Sequence, residues 1–242
     1  MFETLLVQPI YNVFIAIVGV VPHGDAGLAI IVLTFITRIV LYPVFTASIR
    51  TQMGMAAMQP ELEGLKDKHK NDKEGHARAQ MELFKKHKVN PLAGFGALFL
   101  QLAVIIALYF AIFREGFPAV DATLLYSFIS APAAIATDFF GLVNLLEPKH
   151  IGLALLVGIT QYLAIRLTIR HTPNNHPKGS DKEAIQRMQQ NLMLYMMPVV
   201  MTVTAYFFAA AVGIYFAASN VFSLGQEWLI RRQLQREAQK GN

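Results

Sequence analysis

LTFITRIVLYPV, residues 33–44, sets a permanently charged guanidinium, Arg38, inside an apolar run that reaches from about Gly27 to Ala47. A central arginine costs ~2.5–3.5 kcal/mol on insertion scales, and each Leu, Ile, Val or Phe returns ~0.3–0.6 kcal/mol. The dozen such residues in 27–47 outweigh that cost, so the run still reads as a membrane-spanning helix. Its charge then needs water, a partner or an interface. The reading assigns no carboxylate to Arg38 and expects no buried salt bridge inside the bundle.

The rest of the 242-residue chain agrees with a membrane solvent. It is 54% hydrophobic and 15% charged, where a soluble domain carries about a quarter charged residues. Cysteine is absent, which excludes disulfides, thiolate nucleophiles and Cys-ligated metals. The fold class expected is an all-α polytopic membrane protein. Five spanning helices are read at 27–47, 93–113, 150–169, 191–208 and 211–230, each ~20 apolar residues as a bilayer requires. Residues 1–26 are expected to form an interfacial helix and linker, because Glu3, Gln8, Pro9 and Asn12 interrupt the apolar stretch; a sixth span is the alternative. Residues 231–242 form a short basic tail.

Basic residues set the orientation. Nine lie in 48–92, four more in 170–190 (Arg170, Lys178, Lys182, Arg187), and Arg231, Arg232, Arg236 and Lys240 in the tail. None precedes Arg38, and only Lys149 falls between 115 and 149. Cytoplasmic loops collect Lys and Arg, so five spans put the N-terminus outside and the C-terminus in the cytoplasm. A crossing at 122–146 would reverse two of the basic segments. That stretch is therefore read as interfacial or re-entrant, packed against the bundle.

Counting inward from the cytoplasmic ends, Arg38, Gln101 and Gln161 each lie about eight residues deep, and Asn220 about ten. At 1.5 Å per residue these stand ~12–15 Å inside, at one level. Thr34, Arg38, Phe45 and Ser48 share a face of the first span. Arg38 could snorkel to the cytoplasmic surface, donate structurally to carbonyls, or face a hydrated cavity. Gln101, Gln161 and Asn220 could equally be interhelical hydrogen bonders.

Residues 50–90 read as a cytoplasmic hairpin of two charged amphipathic helices, with a turn near Asn71-Asp72 and a stop at Asn90-Pro91. Met55, Met58 and Leu62 form part of one apolar side, and Met81 and Phe84 part of the other. Such a face suits varied partners, or the two helices simply pack on each other. His69, His76, His87, His171 and His176 lack metal-site spacing, and no HExxH, GxSxG or phosphate-cradling loop occurs. No catalytic residue, metal or cofactor is expected.

TRIVLYPV, MQPELEGLKDKHKND, ELFKKHKVNPLAG and ALFLQLAVIIALYFAI resemble the YidC family of membrane protein insertases, densely over 27–115. QYLAIRL, NLMLYMMPVVM and YFAASNVFSLGQEWLIRRQ continue the likeness, more loosely, over 150–232. The resemblance implies a hydrophilic groove open to the cytoplasm and lipid, with Arg38 at the arginine position and Gln101, Ser219 and Asn220 in groove-facing regions. It implies insertion and chaperoning of nascent membrane proteins in the bacterial cell membrane without nucleotide hydrolysis. Ribosomes and the Sec translocon are implied partners, with no sequence-specific contact to nucleic acid. The chain departs from the pattern in its short tail and in YFFAAAVGIYF, which lacks the expected proline. Two other functions remain open: a small-solute or anion transporter built on Arg38, and an assembly chaperone that holds subunits without translocating them.

Overall fold

The computed structural model of the chain describes residues 3–69, 72–87, 89–90, 92–112, 118–170 and 181–240. Asn71, Lys178, His171 and His176, which figure in the sequence reading, lie outside the described residues.

A π-helical turn, Glu3–Val7, runs into α1, Gln8–Val20. Pro9 sits in the first turn of α1, where a missing N–H costs nothing. Tyr11, Phe14, Ile15 and Val18 follow 3.6-residue spacing and are buried, so α1 docks one stripe against its neighbours. Asn12 on the same side is buried, donating to Leu124 O at 2.7 Å and accepting from Tyr126 N at 2.7 Å. Residues 3–20 are long and apolar enough to cross a bilayer, so length does not separate an interfacial from a spanning placement.

The first predicted span is not one straight helix. α2, Ala26–Val40, stops at Leu41, and α3, Tyr42–Ala57, leaves at a bend of 64°. Pro43 explains the break, because it has no N–H to offer Ile39 O and its ring crowds that carbonyl. The amphipathic hairpin accordingly begins later than expected. α3 carries through position 50 to Ala57, α4 covers Gln59–Lys68, and α5 covers Lys73–Lys86.

α6 spans Leu92–Ile112, with Asn90 Oδ1 accepting from Leu92 N at 3.0 Å. Residues 118–150 then form turns and a small antiparallel hairpin, β1 (Asp138–Phe139) with β2 (Val143–Asn144). No helix crosses at 122–146 among the described residues. The chain is mostly helical, as an all-α membrane protein is expected to be, and residues 118–150 add one short β-hairpin to it. Asp25 anchors it, capping α2 through Leu28 N at 2.9 Å while accepting from Phe140 N at 2.8 Å. Phe139 packs directly on Gly27, where a Cβ would collide with its ring.

α7, Ile151–Arg170, matches its predicted span closely. α8, Asp181–Phe207, starts ten residues before its predicted span and contains Pro198, whose carbonyl accepts from Thr202 Oγ1 at 2.8 Å. α9, Ala210–Lys240, runs on through the basic tail, so 230/231 is not a structural boundary. One apolar cluster joins α1, α2, α6, α9 and residues 118–150; a second joins α7, α8 and α9. α9 is therefore the helix common to both.

Candidate functional site

Arg38 lies one turn before the Leu41 break. Its Nη2 donates to Gln101 Oε1 at 3.3 Å, and Gln101 Nε2 donates in turn to the Tyr215 hydroxyl. The relay ties α2 to α6 and α6 to α9. The guanidinium also stands 4.4 Å above the Phe45 ring. Positions seven apart on a straight helix are ~10 Å apart along its axis; the arginine stem and the bend together close that distance. Among the described residues Arg38 has an amide and an aromatic ring for partners and no carboxylate. Its charge is thus held in place without being neutralised.

Tyr215, buried at 3% exposure, is the member that sequence reasoning missed. A tyrosine in an apolar helix, four residues before Ser219, was the available signal. Ser219 is itself buried. It lies one helical turn from Tyr215, on the same face of α9.

The other predicted residues separate from this group. Thr34 is buried, but its hydroxyl donates back to Ile30 O at 2.6 Å, which binds it to its own helix. Asn220 turns the other way and donates to Thr160 Oγ1 at 3.2 Å, joining α9 to α7. Gln161, half-buried on α7, stands outside the relay. Equal depth therefore brought Arg38 and Gln101 together but not Gln161 or Asn220.

The hairpin residues also divide. Met58 and Phe84 are buried with Leu83 in a core of the hairpin's own, with Met55 and Leu62 half-buried against it. That leaves Met81, 58% exposed, as the outward member of the expected partner face. Glu61 bridges His87 Nε2 at 3.0 Å and Lys86 Nζ at 3.5 Å. The hydrogen bond from His87, then the charges of His87 and Lys86, hold the Glu61 carboxyl below the usual range.

A second arginine corrects the expectation that the bundle holds no buried salt bridge. Arg231 and Glu227, on successive turns of α9, pair at 2.8 Å with side chains 6% and 13% exposed. Glu227 Oε2 also accepts from Thr168 Oγ1 of α7 at 2.8 Å. Glu227 falls in the last turn of the predicted 211–230 span, where it was overlooked. Among the described residues, no trio of His, Asp or Glu gathers as a metal site would need.

The family described as 60Kd inner membrane protein matches residues 18–238 of the chain. The "Membrane protein insertase YidC" of Ectopseudomonas mendocina is 30% identical over the whole chain, which spans 36% of that relative. The protein of the same name from Thioalkalivibrio sulfidiphilus is 31% identical over 98% of the chain and 37% of the relative. That from Oceanobacillus iheyensis is 29% identical over 96% of the chain and 84% of the relative. The chain thus spans about a third of the length of two of these curated relatives and most of the third.

Proposed function

We propose that this chain, which belongs to the 60Kd inner membrane protein family, inserts nascent membrane proteins into the bilayer through a hydrophilic groove built around Arg38. The observation that carries this reading is the arginine held by Gln101 and Phe45 with, among the described residues, no carboxylate beside it. An unneutralised cation in the membrane is expensive. It is worth keeping where an anionic guest needs it.

In this mechanism the groove opens to the cytoplasm, with the N-terminus outside and the C-terminus inside. A substrate's acidic extracytoplasmic segment enters it, and Arg38 offsets part of the desolvation of that segment, because charges attract more strongly in a low-dielectric surround. Gln101 and Tyr215 fix the guanidinium's direction, and the Ser219 hydroxyl, one turn from Tyr215, offers a further polar contact. The substrate's apolar helix partitions into lipid along the bundle's flank, which drives the step. The membrane potential adds ~2.3 kcal/mol per charge per 100 mV in the outward direction for an anion. No nucleotide is hydrolysed. The hairpin, through Met81 and the basic residues around it, receives ribosomes or the Sec translocon.

The test is insertion of a short acidic-tailed substrate in cells depleted of the native insertase. Arg38→Ala is expected to lose insertion, Arg38→Lys to keep part of it, and Arg50→Ala to stay near wild type. An Arg38→Ala variant as active as wild type, beside an impaired Arg50→Ala, would overturn the groove-charge mechanism. Solute flux in liposomes without any nascent chain would instead favour the anion-transporter reading.

A further inference from the structure

The outer segment, residues 118–150, seats Leu124 and Leu145 in the core, with Val120, Ile129 and Phe139 packed against it. Buried polar side chains of neighbouring elements anchor it. Asn12 of α1 is 1% exposed and bonds Leu124 O and Tyr126 N, and Asp25 at the start of α2 is 6% exposed and bonds Leu28 N and Phe140 N. Three of its large apolar side chains nevertheless face outward: Phe128 is 80% exposed, Phe140 67% and Leu142 84%.

Two of these sit at the tip of the β1–β2 hairpin. Gly141 N donates to Asp138 O at 3.1 Å and Leu142 N to Phe139 O at 3.0 Å, which closes the turn. Phe140 adopts φ 49°, a left-handed conformation that a bulky residue rarely takes without a compensating gain. Asp25 holds its N–H there, and the Phe140 ring lies 4.6 Å from that of Phe139. The backbone beneath is paired, with Leu145 N on Thr137 O at 2.9 Å and Ala211 N on Leu145 O at 3.0 Å. A paired backbone is what an apolar environment demands.

The tip is also placed where lipid would be. The segment is tied to the start of α2 through Asp25 and to the α8–α9 junction through Lys149 N on Tyr206 O at 2.8 Å. Exposed Val20, Ile151, Phe207 and Phe208 end or begin α1, α7 and α8 at that same rim. They continue the exposed apolar flank formed by Leu155 and Ile159 on α7 and Val199 and Val203 on α8.

We infer that the Phe140–Leu142 tip is a membrane anchor that inserts into the interfacial region of the outer leaflet. Aromatic and aliphatic side chains partition there, and the exposed Lys149 ammonium, next to the α8–α9 junction, can reach a lipid phosphate. The anchor fixes the level of the extracytoplasmic cover against the bilayer. It requires no substrate, so it stands or falls separately from the role given to Arg38.

The chain has no cysteine, which makes the experiment direct. Leu142→Cys is labelled with an environment-sensitive fluorophore and reconstituted in phosphatidylethanolamine–phosphatidylglycerol vesicles. Ala77→Cys on α5 serves as the water reference and Leu155→Cys on α7 as the lipid reference. The expected result is a blue-shifted probe at 142, shielded from aqueous iodide and quenched most by lipid spin-labelled near the headgroup. A probe at 142 that iodide reaches as freely as it reaches position 77 overturns the proposal. So does shielding that disappears when the protein is diluted among excess lipid, since that outcome means contact between two copies of the chain.

Discussion

Two arginines on this bundle are treated in opposite ways. Arg231 is buried, paired with Glu227 at 2.8 Å, and tied through that carboxylate to Thr168. Arg38 is half-buried and, among the described residues, answered by a neutral amide at 3.3 Å and a ring at 4.4 Å. A charge whose partner is supplied by the fold serves the fold. A charge held in position but left unneutralised is available to something else. On the proposed function, that difference separates a structural arginine, Arg231, from the one offered to a substrate, Arg38.

The largest expected effect comes from breaking the neutralised pair. Glu227→Ala leaves Arg231 buried without its counter-ion and should cost about 3–5 kcal/mol, read as a lowered thermal midpoint in detergent. Glu227→Leu combined with Arg231→Leu should recover most of that loss, because two buried charges leave together. If the single variant melts like wild type, the pair is not structural and the contrast with Arg38 fails.

Arg38→Ala should do the reverse. Stability should change by no more than ~1 kcal/mol, since the hydrogen bond to a neutral partner and the Phe45 ring contact are lost together with the cost of burying the charge. Insertion of acidic-tailed substrates should fall by about tenfold, equivalent to ~1.4 kcal/mol on the barrier. Tyr215→Phe sharpens this further. It frees Gln101 Nε2 and loosens the guanidinium without removing it, so insertion should drop less than in Arg38→Ala, with a small loss of stability of about 1 kcal/mol.

Next in size, Pro43→Ala restores the missing N–H and removes the ring's crowding of Ile39 O. The 64° bend should open, which spin labels on α2 and α3 would register as a longer separation. Phe45 would then move away from Arg38. An unchanged distance would mean that packing, not Pro43, makes the break.

The smallest effect is at the exposed hairpin. Hydrogen bonding from His87 lowers the Glu61 carboxyl, and a lowered acid stabilises the fold above its unfolded pKa and loses that contribution as pH falls through the folded value. The Glu61–His87 link should therefore weaken only below the ordinary glutamate range, ~4.3. Carboxyl NMR titration of Glu61 should show a midpoint below that range, moving upward in His87→Ala.

Helix content and the Arg38–Gln101 approach were legible because 3.6-residue periodicity and counting from span ends are one-dimensional. What they could not give is the direction in which a side chain turns about its helix. Asn220 shares a depth with Arg38 but faces Thr160. The Leu41 break was signalled by Pro43, yet a proline within an apolar run can end, kink or simply sit in a helix, and only packing decides. Amphipathic hairpin helices announced an apolar face, but not that Met58 and Phe84 would bury it against each other. The β-hairpin carried a weak signal, Phe140-Gly141, inside a stretch whose pattern otherwise reads as interfacial or re-entrant.

The central claim, that water reaches Arg38 from the cytoplasmic side, can be tested most directly by cysteine accessibility in the otherwise cysteine-free chain. Thr37→Cys, Gln101→Cys and Ser219→Cys should react with a membrane-impermeant thiol reagent applied from the cytoplasmic side, while Leu155→Cys and Val203→Cys on the lipid flank should not. If positions 37, 101 and 219 stay as unreactive as the flank, or react only from outside, then no cytoplasm-open groove surrounds Arg38 and the account is wrong.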